Sequence, residues 1–278
     1  MSGANGTTMA AEGADFSAGP LWMIGCGNMG GAMLRRWVAA GLDPASVTVI
    51  TRSGREPLPG VRALVGLPLD EEPATLVLAL KPQQIDQVDL RHLHPALLLS
   101  ILAGVEEAAL AARVPGAGAI VRAMPNLPVA IGQGVTALYS AGADDAARTA
   151  AAAFATPLGH VEWIDDEEAF GAVTALAGCG PGFVFRFADA LAGAGIALGL
   201  PQDQARRLAL ATLAGSAAMA VDADVSPAIL ADRVASPGGS TREGLNVLDA
   251  DDALARLLVE TLAASARRNA EMAAAARG

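Results

Sequence analysis

Short apolar runs alternate with amphipathic stretches along the first half of the chain. Several of these runs are apolar at every position rather than at alternate positions, which is typical of strands in a parallel sheet covered on both faces. Strand–helix alternation of this kind predicts a doubly wound α/β domain over residues 21–165. We expect its strands at Leu21–Ile24, Val47–Ile50, Leu76–Leu80, Leu97–Leu102, Ile120–Met124 and Val135–Tyr139.

The pattern changes after about Asp166, where strand-like runs disappear. Apolar residues then recur at three- and four-residue spacing, which predicts helices at Ala205–Ala220, Pro227–Ala235 and Asp251–Ala275. The sequence therefore predicts an all-α second domain over residues 166–278.

Two other segments bear on targeting. Residues 1–20 are small and polar, with no basic segment followed by an apolar run, so we expect a disordered N-terminal tail rather than a signal peptide. The stretch Phe183–Leu200 is apolar but contains Arg186 and Asp189, so we expect no transmembrane helix there.

Composition narrows the class of protein. The chain has 278 residues, of which 53% are apolar and only 17% charged, so it can form two domains and bury surface between subunits. A net charge of −10 argues against nucleic acid and anionic membranes as partners. The two cysteines, Cys26 and Cys179, form no CxxC pair, and the three histidines lack metal-ligand spacing. We therefore expect no bound metal and a reduced, cytoplasmic setting.

A glycine motif follows the first predicted strand and opens a predicted helix. In Gly25-Cys26-Gly27-Asn28-Met29-Gly30 the first glycine permits a tight turn, and the second lets a pyrophosphate approach the backbone. The third lets helix and strand pack closely. This context predicts a Rossmann-type dinucleotide-binding domain.

The end of the second strand bears on which dinucleotide binds. NAD enzymes usually carry Asp or Glu there, whereas this chain has Thr51-Arg52-Ser53. A guanidinium and two hydroxyls suit a 2′-phosphate, so the sequence favours NADPH, with NADH still possible. In the alternative interpretation, Arg52 stacks on the adenine and tolerates both cofactors.

Three further strand ends carry candidate residues. Lys81 is the only lysine in the chain and follows the third predicted strand, so Lys81-Pro82 is expected in the cofactor cleft; a chance lysine on a loop is the alternative. Small residues at Ser100–Gly104 would let a nicotinamide ribose approach. Two prolines flank Asn126 closely and would aim its amide.

Two more glycine turns lie in the second half. Gly178–Gly182 precedes a long apolar helix and is better explained by helix packing than by ligand binding. In Ser236-Pro237-Gly238-Gly239-Ser240-Thr241, two glycines and three hydroxyls lie at the predicted start of a helix, where free backbone N–H groups can bind an anion.

These motifs, in this order, resemble the pyrroline-5-carboxylate reductase family from Met23 to about Asp249. The resemblance implies NAD(P)H-dependent reduction of L-1-pyrroline-5-carboxylate to L-proline, the last step of proline biosynthesis. It also implies that the helical domain forms a homodimer, and that larger rings of dimers are possible. The chain departs from the usual family residues at Leu102, Cys179, Gly182, Phe183 and Arg233.

The resemblance assigns roles by position. It implies that backbone N–H groups of Gly238, Gly239 and Ser240 hold the substrate carboxylate beside Ser236 and Asn126. It implies that the Thr241 hydroxyl bonds the ring nitrogen as the catalytic group. The predicted cofactor-binding residues are Ile24, Gly25, Cys26, Gly27, Asn28, Met29, Gly30, Arg52, Ser53, Ala79, Leu80, Lys81, Pro82, Ile101, Leu102 and Ala103.

The chemistry of the substrate agrees with these residues. A protonated cyclic imine already accepts hydride well, so alignment can lower the barrier by several kcal/mol, up to roughly 10, without a strong acid. The closest rival, a 3-hydroxy-acid dehydrogenase, uses a lysine in its second domain, and this chain has none after Lys81. A nucleotide sensor without chemistry is a second alternative, which the intact turn from Ser236 to Thr241 disfavours.

Overall fold

The computed structural model describes Phe16 and residues 19–277, and its first half is built on one twisted sheet. The strand order is β3-β2-β1-β4-β5-β6-β7-β8, with β3 to β6 parallel, β7 antiparallel to β6, and β8 parallel to β7. The order from β3 to β6 is that of a Rossmann fold. The strands are β1 Leu21–Ile24, β2 Val47–Ile50, β3 Arg62–Leu64, β4 Thr75–Leu78, β5 Leu97–Ser100, β6 Ala119–Pro125, β7 Gly134–Tyr139 and β8 Gly159–Trp163.

All six predicted strands are present, and the predicted fold class is confirmed. The sequence missed β3 and β8, because β3 has only three residues and β8 alternates in exposure, with His160 and Glu162 facing solvent. Strands β4 and β5 end two residues earlier than predicted, so Ala79-Leu80 and Ile101-Leu102 lie in the loops beyond them.

Apolar side chains cover both faces of this sheet. On one face, helices α1 (Asn28–Ala39) and α3 (Asp145–Ala155) meet through Trp37, whose indole Nε1 donates to the Phe154 carbonyl at 2.6 Å. Helix α2 (Glu107–Arg113) packs on the other face, where Leu110 joins the buried leucines of β4 and β5. Complete burial of such side chains contributes about 1.5–3 kcal/mol each.

A connector leads from β8 to the helical half. It contains the short helix α4 (Phe170–Val173) and a π-helical turn, Thr174–Gly178. Phe170 is buried against Met124 and Ala137 of the sheet. The connector therefore packs as part of the sheet-containing unit.

The remaining elements are helical. Helix α5 ends before Gly199, whose φ of +99° reverses the chain ahead of α6. Helices α5 and α6 pack through small side chains, with Ala188, Ala192, Ala205 and Ala209 buried. The helices are α5 Gly180–Ala197, α6 Gln202–Val221, α7 Pro227–Val234, α8 Ser240–Asp249 and α9 Ala253–Arg277.

The chain divides into two compact units. One contains the described residues up to Gly178 together with 266–277, and the other contains Cys179–Ser265. This division falls later than the predicted boundary at residue 165, because the connector packs on the sheet. The predicted tail, residues 1–20, lies mostly outside the described residues; Phe16 within it packs on Phe154, with ring centroids 5.5 Å apart.

One helical run, Glu167–Ala197, is long and apolar enough to cross a membrane by length and composition alone. The sequence analysis expected no transmembrane helix at Phe183–Leu200, which overlaps this run. Within the run, Arg186 and Asp189 form an exposed ion pair at 3.8 Å. An apolar helix face that packs against another subunit has the same composition, so the run by itself does not indicate a membrane protein.

Candidate active site

The carboxyl ends of β1, β2 and β4 surround a cleft of about 740 Å³. Parallel sheets bind dinucleotides at this edge, where the strand order reverses between β1 and β4. All but three of the predicted cofactor-binding residues line the cleft. The exceptions are Pro82, which begins a 3₁₀ turn, Leu102, which is buried in the core beneath, and Ala103, which packs near Met124.

The three glycines of the first loop have distinct environments. Gly25 has a φ of +85°, and a Cβ there would lie 2.7 Å from the Ala79 carbonyl oxygen. At Gly30 a Cβ would lie 3.0 Å from the Ala79 Cβ, so this glycine lets α1 pack closely on the loop after β4. At Gly27 a Cβ would meet nothing within 4 Å. Gly27 therefore faces the open space in which a pyrophosphate fits.

Helix α1 presents its N-terminus to this cleft. Gly27 is the N-cap residue, so no side chain occupies the first backbone N–H groups, and the first turn has no acidic residue. The positive end of the helix dipole therefore remains available to an anion. Burial raises the pKa of the Cys26 thiol in this loop, against an opposing effect of Arg35, so Cys26 is a neutral thiol near pH 7.

The end of β2 supplies polar groups to the same cleft. Arg52 is exposed and makes no hydrogen bond or ion pair with any residue that the structure describes. The hydroxyls of Thr51 and Ser53 lie 3.4 Å apart, and the Ser53 hydroxyl accepts from the Arg55 backbone N–H. A free guanidinium beside two hydroxyls is well suited to bind a phosphate.

Sequence reasoning missed several residues of the cleft. They lie outside the glycine loop and follow no periodic pattern, so no local signal identified them. Val65, which follows β3 and is 70% exposed, lines the cleft. The others are Ile50, Gln84, Gln87, Val88, Met124 and Pro125.

Asn126 follows β6 and is only 7% exposed. Its Oδ1 accepts from the Val135 backbone N–H at 2.8 Å, and its Nδ2 donates to the Ala177 carbonyl at 3.0 Å. Both ends of the amide therefore bind the protein itself. The predicted contact between Asn126 and the substrate stays a prediction.

The second glycine turn lies in the helical unit, at the start of α8. Gly239 is the N-cap residue without a side-chain cap, so the N–H groups of Ser240 and Thr241 begin an open helix end. Gly238 has a φ of +68°, and a Cβ there would meet nothing within 4 Å. Thr241 is exposed and lines an apolar groove with Leu213, Leu230 and Leu245.

Two contacts hold this turn in shape. The Gly239 N–H donates to the Ser236 carbonyl at 2.9 Å, and a Cβ on Gly239 would lie 2.6 Å from the Ser236 Oγ. Arg242 pairs with Asp232 at 2.8 Å and so ties α8 to α7. The turn is therefore a preformed group of backbone donors with a hydroxyl beside it.

Comparisons with known proteins agree with both halves of the chain. Residues 21–104 match the family model described as NADP oxidoreductase, coenzyme F420-dependent, and residues 167–272 match the model described as pyrroline-5-carboxylate reductase dimerisation. The pyrroline-5-carboxylate reductase of Pseudomonas aeruginosa is 34% identical over 263 residues, which cover 90% of this chain and 95% of that protein. The chain belongs to the pyrroline-5-carboxylate reductase family.

Solved structures support the same family assignment. A pyrroline-5-carboxylate reductase from Coxiella burnetii is 30% identical, with a TM-score of 0.81 over 91% of this chain and 98% of that one. The Plasmodium falciparum pyrroline carboxylate reductase with NADP bound is 25% identical, with a TM-score of 0.78 and the same two coverages.

Family membership identifies the reaction that the chain catalyses and the function of each of its two units. The chain reduces 1-pyrroline-5-carboxylate in proline biosynthesis as an NAD(P)-dependent oxidoreductase. Its sheet unit is an NADP-binding oxidoreductase domain, and its helical unit is a dimerisation domain. The open space at Gly27, the uncapped end of α1 and the free Arg52 all fit a pyridine dinucleotide.

Proposed function

We propose that this pyrroline-5-carboxylate reductase binds NADPH in the cleft of the sheet unit and binds its substrate at the turn from Ser236 to Thr241. The preformed helix end at Gly239, with its uncapped N–H groups, carries this proposal. The two sets of residues come from different units of the fold, and each is suited to one of the two reactants.

The substrate is a cyclic imine that bears a carboxylate. Backbone N–H groups of Gly238 and Ser240 bind this carboxylate at the positive end of α8, with Ser236 and Gly239 beside them. The Gly239 N–H itself donates to the Ser236 carbonyl and so keeps the turn in shape. The open space at Gly238 leaves room for the anion to approach the backbone.

Thr241 is the catalytic residue in this proposal. Its hydroxyl bonds the ring nitrogen, which carries the proton that the product amine retains. The reduced nicotinamide, when bound, supplies the hydride that adds to the C=N carbon. Because the protonated imine is already electrophilic, Thr241 orients and stabilises the ring rather than acting as a strong acid.

NADPH is the preferred cofactor in this proposal, and Arg52 is the residue that selects it. A 2′-phosphate accepts charge-assisted hydrogen bonds from a guanidinium, and the Ser53 and Thr51 hydroxyls can complete its shell. Among the described residues that line the cleft, none carries a carboxylate that would repel it. NADH retains the remaining contacts and binds more weakly.

We further propose that the enzyme is a cytoplasmic homodimer, which can assemble into a ring of dimers. The match of residues 167–272 to a dimerisation domain supports self-association through the helical unit. Exposed apolar side chains on α5 and α6, among them Phe185 and Leu208, provide the surface.

The experiment that tests the site replaces Thr241 with Val, which keeps its shape and removes its hydroxyl. We expect kcat to fall about 100-fold, because the hydroxyl oxygen accepts from the protonated ring nitrogen, and loss of one hydrogen-bonding group aimed at the reacting atoms typically costs 10²–10³ in rate. The Kd for NADPH, measured by fluorescence titration, should stay within about twofold. Thr241→Ser should retain most of the activity.

Thr261→Val is the matched control, because this second threonine of the helical unit bonds only the Leu257 carbonyl among the described residues. It should behave as wild type. Wild-type turnover in Thr241→Val would show that the hydroxyl has no catalytic role.

A further inference from the structure

Asn126 connects three segments of the sheet unit. Its backbone N–H donates to the Val135 carbonyl at 3.0 Å, while its Oδ1 accepts from the Val135 N–H at 2.8 Å. The side chain thus replaces a backbone acceptor in closing the loop between β6 and β7. The third segment is the π-helical turn Thr174–Gly178, which receives the hydrogen bond from Nδ2.

The acceptor of this third bond has a particular need for a donor. In π-helical geometry the Ala177 carbonyl would accept from Gly182, but the Gly182 N–H donates to the Cys179 carbonyl at 3.0 Å. In α-helical geometry it would accept from the residue four positions later, which is Pro181. Proline has no backbone N–H, so that donor is missing. The Asn126 Nδ2 lies 3.0 Å from the Ala177 oxygen and supplies a donor in its place.

The turn that Asn126 holds also packs against the cofactor cleft. A Cβ on Gly178 would lie 3.7 Å from the Met124 sulfur and 3.5 Å from the Thr174 methyl group, so the backbone of the turn lies close to Met124. Met124 in turn lines the cleft, next to Pro125. The turn therefore contacts Met124, and Met124 forms part of the cleft wall.

The position of Met124 identifies which part of the cofactor this wall meets. Strands β1, β4 and β5 lie between β2 and β6, which places the strands that carry Arg52 and Met124 about 19 Å apart at a strand spacing of about 4.8 Å. A dinucleotide lies across the switch point with its adenosine ribose on the β2 side. The Met124 wall therefore meets the nicotinamide end.

We propose that Asn126 is a positioning residue: through the Ala177 carbonyl it holds the turn Thr174–Gly178 against Met124 and so fixes the wall beside the nicotinamide. Asn126 does not contact the substrate in this account. The proposal rests on the reductase activity and not on the role of Thr241, so the two can fail separately.

The test is a double-mutant cycle between Asn126 and Pro181, in the full-length enzyme. Asn126→Ala removes the donor, and we expect kcat to fall about tenfold with the KM for NADPH within about twofold. Pro181→Ala gives residue 181 an N–H, which α-helical geometry directs to the Ala177 carbonyl, and alone it should leave kcat near wild type. In the double variant this N–H replaces the lost donor, so kcat should recover to within about threefold of wild type.

Hydrogen exchange in the protein without cofactor gives a readout that does not depend on catalysis. Asn126→Ala should lose protection at the Val135 amide and in residues 174–178, and the double variant should regain it in residues 174–178 only. Asn126→Asp keeps the acceptor for Val135 and loses the donor, so it serves if Asn126→Ala does not fold.

Two results would overturn the proposal. In the first, the double variant is as slow as the single Asn126 variant, so that restoring a donor to Ala177 has no effect. In the second, the Asn126 variants raise the KM for pyrroline-5-carboxylate with kcat unchanged, which would indicate direct contact with the substrate.

Discussion

The two units of the chain bury their apolar side chains in different ways. In the NADP-binding unit, Trp22, Trp37 and Leu76 are each at most 1% exposed, and apolar layers cover both faces of the sheet. In the helical unit, Cys179–Ser265, the buried residues are all alanines, whereas Phe185 and Leu208 are at least half exposed.

This difference indicates that the NADP-binding unit has a complete core within one chain and that the helical unit does not. Exposed apolar surface of this extent is typical of a surface that another protein covers. It agrees with the dimerisation domain that residues 167–272 match. The stability of the helical unit should therefore depend on protein concentration, and that of the NADP-binding unit should not.

A charge on the exposed face of α5 should give the largest effect. Phe185 is 56% exposed in the single chain, and Phe185→Asp would place a carboxylate in a subunit interface. A two-fold dimer contains the substitution twice. We therefore expect the free energy of association to become less favourable by about 4 kcal/mol, which is a dimer Kd about 1000-fold higher. Light scattering over a range of concentrations measures this directly.

Leu69→Asp is the control for this substitution. Leu69 is 86% exposed but lies in a loop of the NADP-binding unit, where no partner is expected. This variant should keep the wild-type mass and melting temperature. A stable Phe185→Asp dimer would mean that the exposed face of α5 is not an interface.

The glycines of the first loop give a smaller effect that separates stability from binding. Gly25→Ala places a Cβ against the Ala79 carbonyl at a φ of +85°, so we expect a loss of about 2–3 kcal/mol in the free energy of unfolding. Gly27→Ala meets no protein atom and should change that free energy by less than about 0.5 kcal/mol. Its methyl group should nevertheless weaken NADPH binding at least about tenfold, because it occupies the space of the pyrophosphate.

Denaturant unfolding and NADPH titration on the same samples measure both quantities. Equal losses of stability in the two variants would contradict the distinct environments of the two glycines. Unchanged NADPH affinity in Gly27→Ala would contradict the location of the pyrophosphate.

Sequence reasoning predicted those features that are determined by residues close together along the chain. Continuous apolar runs located β1, β2 and β4, and glycine spacing located both turns, because each pattern is complete within a few residues. The edge strand β8 was missed because its exposed alternation lacks a continuous apolar run. Val65 was missed because its place in the cleft follows from sheet order, to which no local pattern refers.

Asn126 is a single-residue example of a contact that local sequence patterns do not predict. Two prolines predicted a fixed loop and an oriented amide, and the amide is indeed held. Its partner, however, is the Ala177 carbonyl, 51 residues later in the chain, in a turn where Pro181 has no N–H and the Gly182 N–H donates to Cys179. That relationship requires the fold, so sequence reasoning directed the amide to the substrate instead.

Arg52 should give the smallest effect, and it separates cofactor choice from cofactor binding. Arg52→Ala removes the guanidinium from the cleft, so we expect the KM for NADPH to rise about tenfold, or about 1.4 kcal/mol, as for one charge-assisted hydrogen bond. The KM for NADH should be unchanged, because NADH has no 2′-phosphate. Arg55→Ala lowers the net charge equally at a neighbouring exposed position outside the cleft, and it should affect neither cofactor. An equal rise for both cofactors in Arg52→Ala would instead indicate that the guanidinium stacks on the adenine.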